Sequence, residues 1–392
     1  MLRRLPATAH DYHGLARSRL PRFLSDYVDG GAGDEGTLRA NDAAWARLRL
    51  RQRVMLDVDG VDTATVLAGE ACAMPLALAP VGLAGMMARR GEALAARAAA
   101  QAGVPFTLST VGICPLAEVQ RDAGPPVWFQ LYMLRDRGIV EALLQRAWDA
   151  GCRTLVFTVD LPQPGMRHRD IRNGLGAGTA RARWLKAADL LCHPRWLWDV
   201  GMRGKPHVFG SLTTQVPGVG DLDGFKAWVD SQFDPSVTWR DIDWLRAHWP
   251  GTLLLKGVLE VGDARAAVAT GAQGIVVSNH GGRQLDGVAA TADKLPAIVQ
   301  AVGAQTEVLV DGGIRSGTDV LRALALGAAG VLVGRPWVWA LAGAGERGLV
   351  ELLARWRQEL RLAMALAGVR RVAEIHPGVL DAVSAADDEE AR

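Results

Sequence analysis

Along most of the chain, short uninterrupted apolar runs alternate with stretches whose apolar positions recur every three to four residues. Eight runs are of the first kind: "MPLALAP" from Met74, "PFTLST" from Pro105, "VWFQLY" from Val127, "TLVFTVD" from Thr154, "GTLLLKG" from Gly251, "GIVVSNH" from Gly274, "EVLVDGG" from Glu307 and "GVLVGR" from Gly330. None has the in–out alternation of a strand with one wet face, so each predicts a strand covered on both sides, as in a parallel sheet. The intervening stretches, such as "GEALAARAAAQAG", "IVEALLQRAWDAG", "DARAAVATGA" and "DVLRALALGA", are Ala-rich and amphipathic. Several end in Gly, the usual C-terminal stop of a helix. Eight βα units in series predict an α/β fold, a (β/α)8 TIM barrel, with an N-terminal helical segment and a long insertion between strands 4 and 5. An open dinucleotide-binding sheet would want GxGxxG in its first βα turn, and "LAPVGLAGMMARRGE" does not match it.

In a barrel of this kind the functional groups gather at the C-terminal ends of the strands. Here those ends carry Gly82, Ser109, Gln130 with Tyr132, Thr158 with Asp160, Lys256, Ser278 with His280, Asp311, and Gly334 with Arg335. Each run buries an apolar body and then presents hydrogen-bonding or charged groups. After strand seven, "VDGGIRSGTDVLRALALGA" puts Gly312 and Gly313 in a tight turn beside Arg315, with a helix beginning near Thr318. Free amides at that helix start and a nearby arginine make an anion site. Gly334 and Arg335 add to it after strand eight, where barrels commonly bind phosphate. Asp311 would repel an anion but suits hydroxyl groups of the same ligand, so a phosphorylated polyol chain fits the pair. Turns with solvated arginines explain either motif alone equally well; the two together favour phosphate.

Composition narrows the class little further. A net charge of +2, from 44 basic and 42 acidic side chains, offers no argument for nucleic acid. Cys72, Cys114, Cys152 and Cys192 are far apart and lack CxxC spacing, which predicts reduced cytosolic thiols and no metal site. "MLRRLPATAHDYHG" lacks the apolar core of a secretory signal, and no stretch reaches the roughly 18 to 20 apolar residues that span a bilayer. The expectation is a cytoplasmic protein, free or peripheral. Residues 1–375 read as one domain, with 181–250 as insertion or lid, and the acidic tail at 376–392 reads as disordered.

"SNHGGRQLDG", "DGGIRSGTDV", "LKGV", "FQLY", "TVD" and "LPRFLSDYVDGGAGDE" together resemble the FMN-dependent α-hydroxy acid dehydrogenases and oxidases. The likeness covers about residues 10–375 in the family's order, and "PFTLSTVGICP", "LVFTVDLPQPGMRHRD" and "HPRWLWDVG" resemble most the bacterial respiratory L-lactate dehydrogenases. The resemblance implies an FMN cofactor whose phosphate lies on Arg315, Gly334 and Arg335 and whose ribityl chain lies by Asp311. It implies flavin contacts from Pro80, Val81, Gly82, Ser109, Gln130, Thr158 and Ser278, and places Lys256 near N1 and O2 of the ring. A fixed cation there suits the negative charge that reduction adds.

The resemblance also explains why an imidazole and a guanidinium stand three residues apart. Arg283 can grip the carboxylate of a 2-hydroxy acid through a bidentate fork, and His280 can take a proton as the C–H bond is oxidised. By position, Tyr27 and Arg167 are further substrate contacts, Tyr132 bonds near the reacting hydroxyl, and Asp160 stabilises the protonated histidine. Singly, a core tyrosine, a helix-capping aspartate or a histidine satisfying a local bond would be the plainer explanation. Jointly they form the full polar set that the reaction needs. Gly82, where many oxidases of the family carry alanine and the dehydrogenases tend to have glycine, leans toward an acceptor other than oxygen. Val111 leaves the substrate side chain room.

The connection of about ninety residues between strands 4 and 5 exceeds an ordinary loop. Its segment from Arg181, "RARWLKAADLLCHPRWLWDVGMRGKPHVFG", mixes tryptophans with cations. That composition favours a membrane interface, and with it a quinone acceptor, but suits a lid or a subunit contact about equally. The resemblance implies a homotetramer. An oxygen-using oxidase, a mandelate-type dehydrogenase, a flavin-free barrel enzyme and a non-enzymatic FMN or phosphate-ligand sensor remain the alternatives.

Overall fold

The eight apolar runs form a single parallel sheet in the computed structural model, which describes residues 5–174, 179–213, 228 and 230–381. The strands are β1 (Leu76–Leu78), β2 (Thr107–Ser109), β3 (Trp128–Leu131), β4 (Thr154–Thr158), β5 (Thr252–Val258), β6 (Gly274–Val277), β7 (Glu307–Val310) and β8 (Gly330–Val333). Sheet neighbours follow the chain from β2 to β8, and β8 pairs with β1 through Val331–Leu76 to Val333–Leu78. A parallel bridge between Leu78 and Phe106, with the Leu78 amide donating to Pro105 O at 2.8 Å, closes the cylinder. The fold is a (β/α)8 barrel.

Residues two apart along a strand share a face, so the inward face reads directly from the sequence. Ala77, Trp128, Val156, Leu254, Val276, Leu309 and Leu332 form a buried apolar cluster inside the cylinder. Leu78, Phe129, Leu155, Leu255, Ile275, Val310 and Val331 point outward into the larger core under the helices. One step further along the inward face come Gln130, Thr158, Lys256, Ser278 and Asp311, all buried. The polar floor of the mouth is thus the next layer of the same barrel interior.

Three helices precede the barrel: α1 (Ala9–Arg19), α2 (Arg22–Asp29) and α3 (Gly36–Arg47). Thr8 and Asp11 form a capping box that starts α1, which packs along the last helix, Arg335–Leu366. That helix is broken at Gly345, whose φ is 71°. A hairpin, Thr65–Leu67 with Glu70–Cys72, was not apparent in the sequence, and it plugs the N-terminal end of the barrel. Glu70 Oε1 accepts there from Trp128 Nε1 (3.0 Å) and Thr154 Oγ1 (3.1 Å), and the Ala68 amide donates to Glu307 (2.9 Å).

The insertion after β4 contains helix Ala180–Leu191 and a π-helical turn at Leu197–Met202; residues 214–227 and 229 lie outside the described set. The C-terminal segment expected as a loose tail begins with a 3-10 turn at Pro377–Val379, held where Leu380 bridges Leu50. Residues 382–392 lie outside the described residues. Among the described residues, no helix is long and apolar enough to cross a membrane.

Candidate active site

The C-terminal mouth of the barrel opens into a cleft of about 1360 Å³, its open side included. Around its floor runs a chain of buried polar groups. Ser109 Oγ donates to Gln130 Oε1 (3.0 Å), and Gln130 Nε2 donates to Thr158 Oγ1 (3.1 Å). Lys256 Nζ stands 3.0 Å from both Ser278 Oγ and Asp311 Oδ2. Burial pulls the Lys256 ammonium down, and Asp311 with Asp160 more than reverses this, so the lysine stays charged at the centre of the floor. Asp311 Oδ1 is buried and has no hydrogen-bond partner among the described residues, which leaves an acceptor for a ligand hydroxyl.

His280 lines this cleft, as do Tyr27, Tyr132, Arg167 and Arg283. His280 Nδ1 lies 2.8 Å from Asp160 Oδ1. Burial pushes the imidazole below its usual range, outweighing the pull of Asp160 in the other direction. Burial likewise pushes the Asp160 carboxyl up, but His280 and Lys256 overcome it and hold it low. The pair is therefore a carboxylate and a neutral imidazole. Nδ1–H donates to Asp160, which leaves Nε2 with its lone pair. Burial, with Asp160 nearby, also raises Tyr132, which stays a phenol able to donate.

Arg283 spends one nitrogen, Nη1, on Tyr27 O and Gly30 O, each at 2.7 Å, and lies over the Tyr27 ring. Burial and then Arg167 push its guanidinium down to about 10. Two guanidiniums facing one cleft repel each other unless an anion lies between them, so this end of the cleft suits a carboxylate.

The phosphate end differs from the sequence expectation in one respect. The helix after β7, Gly317–Ala325, has its first amides taken: Gly317 N donates to Glu359 (2.8 Å) and Asp319 N to Ser316 Oγ (3.1 Å). Residues of that helix do not line the cleft, which Asp311, Gly312, Gly313, Ile314 and Arg315 reach from the end of β7. The helix after β8 begins at Gly334 with no side-chain cap, and Gly334, Arg335 and Val338 line the cleft. An anion in this end of the cleft would meet the start of that helix together with Arg315. Arg335 donates only to backbone carbonyls, of Val28, Gly30 and Gly281, each at 3.0 Å. Burial and then Arg283 push it down to about 9. A buried cation without a carboxylate partner costs several kcal/mol, which a bound phosphate would relieve.

Every expected cofactor or substrate residue lies on this mouth, either lining the cleft or bonded to a residue that does: Ser109 to Val111 N (3.3 Å), Gln130 to Thr158, Ser278 to Lys256 and Asp160 to His280. Pro80, Val81 and Gly82 pass along its edge. A Cβ on Gly82 would lie 2.8 Å from Val111 Cγ2 and 3.1 Å from Tyr27 Oη, so the glycine permits a close approach. Leu161, Pro164, Phe209, Asp230 and Phe233 also line the cleft, and sequence reasoning missed them. Phe233 meets Tyr132 edge to face, with centroids 5.4 Å apart. Their one signal was the length of the insertion, which brings Phe209, Asp230 and Phe233 back over the mouth.

A barrel mouth with an open acceptor on Asp311, a buried lysine on its floor and arginines at both ends has the polar groups to take a phosphorylated flavin and a small acid. The model of FMN-dependent dehydrogenases matches residues 16–382, and the chain belongs to that family. It is 54% identical to an L-lactate dehydrogenase of Caulobacter sp. (strain K31) over 370 residues, 94% of this chain and 97% of that one. It is 51% identical over 378 residues to an L-lactate dehydrogenase of Xanthomonas campestris pv. campestris (strain 8004), covering 96% and 97%. Among solved structures, it is similar to a monotopic membrane (S)-mandelate dehydrogenase, with TM-score 0.90, 33% identity and coverage of 96% and 100%. It is also similar to a mandelate oxidase, with TM-score 0.81, 40% identity and coverage of 96% and 98%.

Proposed function

We propose that the protein oxidises L-2-hydroxy acids, above all L-lactate to pyruvate, using FMN and passing the electrons to a quinone rather than to oxygen. The observation that carries this reading is the convergence of the His280–Asp160 pair at 2.8 Å with Arg283, Arg167 and Lys256 on one mouth. FMN, when bound, supplies the two-electron acceptor for the hydrogen leaving the α-carbon. Arg283, aided by Arg167, holds the substrate carboxylate, which fixes the direction of the hydroxyl and the C–H bond. Tyr27 and Tyr132 flank the same end, and Tyr132 donates toward the reacting oxygen. His280 Nε2 takes the hydroxyl proton, and the ionised Asp160 stabilises the imidazolium that results. Lys256 is the fixed cation beneath the charge that develops above the floor. Pro80, Val81, Gly82, Ser109, Gln130, Thr158, Ser278, Asp311, Gly312, Gly313, Arg315, Gly334 and Arg335 hold the cofactor.

A mandelate-like side chain is the second reading, supported by the likeness to mandelate enzymes. Peripheral attachment to the inner face of the cell membrane, and a homotetramer, belong to the same proposal. Trp184, Leu191, Trp198 and Met202 stand exposed on the insertion beside its cations, as a bilayer-facing surface would require. Anaerobic mixing of the FMN-loaded protein with L- and D-lactate, 2-hydroxybutyrate and mandelate tests the reading. L-lactate should bleach the flavin fastest, with reoxidation rapid by a quinone and slow in air. Bleaching by D-isomers alone, or undiminished bleaching by His280→Ala, would overturn it.

A further inference from the structure

Two loops carry the chemistry proposed above. The loop after β4 brings Asp160 and Arg167, and the segment after β6 brings His280 and Arg283. Both the Asp160–His280 contact and the spacing of the two arginines depend on how these loops sit against each other. The residue that joins them is Gln284. Its Nε2 donates to Asp160 O and to Gln163 O, each at 3.0 Å, and its Oε1 accepts from Gly165 N at 3.1 Å. Three of the amide's four main bonding directions go to backbone atoms of a single loop, which removes its rotational freedom. Gln284 itself does not line the cleft.

The contact beneath it is tight. A Cβ on Gly165 would fall 2.3 Å from Arg283 O and 2.7 Å from Gln284 O, so only glycine lets the two backbones meet. Arg167 Nε adds a long bond to Arg283 O (3.4 Å). The N-terminal segment is attached to the β6 loop separately. Asp286 accepts from Asp34 N (2.9 Å) and Thr37 N (2.8 Å), and Ala32 N donates to Gly282 O (2.8 Å). The far end of the β4 loop is moored there too, through Gly33 N to Met166 O (3.0 Å) and Asn173 Nδ2 to Asp26 (2.7 Å). Losing the Gln284 amide therefore loosens residues 160–165 against the β6 segment, while that segment and the far end of the β4 loop stay tied to the N-terminal segment.

We propose that Gln284 is a positioning residue: by clamping the backbone of Asp160 and Gly165 beside Arg283, it sets the spacing between the proton-accepting pair and the carboxylate grip. The proposal rests on the roles given above to Asp160, His280 and Arg283. Its test is a double-mutant cycle in FMN-loaded protein, with Gln284→Met and Gln284→Glu made alone and in an Asp160→Asn background. A misplacement of about an ångström costs on the order of 10²-fold in rate. Gln284→Met should therefore bleach with L-lactate about 30- to 100-fold more slowly and need about tenfold more substrate, while flavin content and Tm stay near wild type. Gln284→Glu keeps the size but turns an acceptor toward Asp160 O and Gln163 O, and should be at least as slow. With Asp160→Asn already present, Gln284→Met should lower the rate by less than about threefold, because both changes act on one unit.

Wild-type rates in either Gln284 variant would overturn the proposal, as would an equal fold-loss in both backgrounds. Loss of flavin and of Tm in both variants would reduce Gln284 to a structural bond and overturn it too. Undiminished bleaching by Asp160→Asn alone would remove the roles on which the proposal stands, and the proposal with them.

Discussion

His280 occupies the left-handed region of the backbone, with φ 56°, ahead of Gly281 and Gly282 at 63° and 73°. That conformation costs a non-glycine residue about 1 kcal/mol. Local bonds hold it: His280 N donates to Ser278 Oγ (3.0 Å), Gly282 N to Asn279 Oδ1 (3.1 Å), and the Asn279 amide pairs reciprocally with Asn41 at 2.9 Å. What the strain obtains is an imidazole turned onto Asp160 at the cleft. Burial keeps that imidazole below its usual 6.5, and Asp160 pulls the other way. The base works only when neutral, so kcat/KM should fall as pH drops through a pKa below about 6.5 and stay level up to at least about pH 8. Asp160→Asn removes a group that raises His280, so the acidic limb should move lower still, with a plateau reduced by about 10²- to 10³-fold. A pH profile of kcat/KM checks both; a wild-type limb above 6.5, or an upward shift in the variant, contradicts the assignment. His280 and Arg283 were legible in the sequence because they follow directly from a strand end. Gln284 was not, since its partners are backbone atoms of a loop some 120 positions away that only folding brings near.

The strands were legible for a physical reason: a parallel barrel buries both faces of every strand, and no solvent-facing alternation interrupts the runs. The hairpin at Thr65–Cys72 was not, because two three-residue strands are too short for any period to appear. Yet that hairpin seals the end of the barrel opposite the chemistry, and it does so with acids. Burial raises Glu70 and, across the plug, Glu307. A carboxyl whose pKa is higher folded than unfolded contributes stability that is complete at low pH and is lost as pH rises through the folded value. Gln at position 70 keeps an oxygen able to accept from both Trp128 and Thr154 without that loss. Glu70→Gln should thus match wild type near pH 4 and exceed it in Tm by about one or two degrees near pH 8. Thermal unfolding across that range decides it; a variant less stable than wild type at pH 8 would show that the ionised carboxylate is needed at the plug.

At the scale of the molecule, the N-terminal segment is part of the active site. Carbonyls of Tyr27, Val28 and Gly30 receive the guanidiniums of Arg283 and Arg335, with Gly30 O shared by both. The carboxylate grip and the phosphate end therefore rest on one support at the C-terminal end of α2, where helix carbonyls carry partial negative charge. Those partial charges do not neutralise the cations: Arg335 stays pushed down to about 9 and Arg283 to about 10. Without its ligand the protein bears the cost of charges buried among dipoles, and a phosphate dianion at the start of the last helix removes much of it. FMN should accordingly stabilise the apoprotein by about 2.7 kcal/mol when present at 100 times its Kd. Riboflavin has the same ring and ribityl chain but no phosphate, so at equal concentration it should give less than about a third of the shift in Tm. Arg315→Met should narrow the gap between the two ligands, since Arg315 is the cation that β7 itself contributes to that end. Equal stabilisation by riboflavin and FMN, measured by thermal unfolding of the apoprotein, would place the binding energy on the ring and deny the arginines a phosphate.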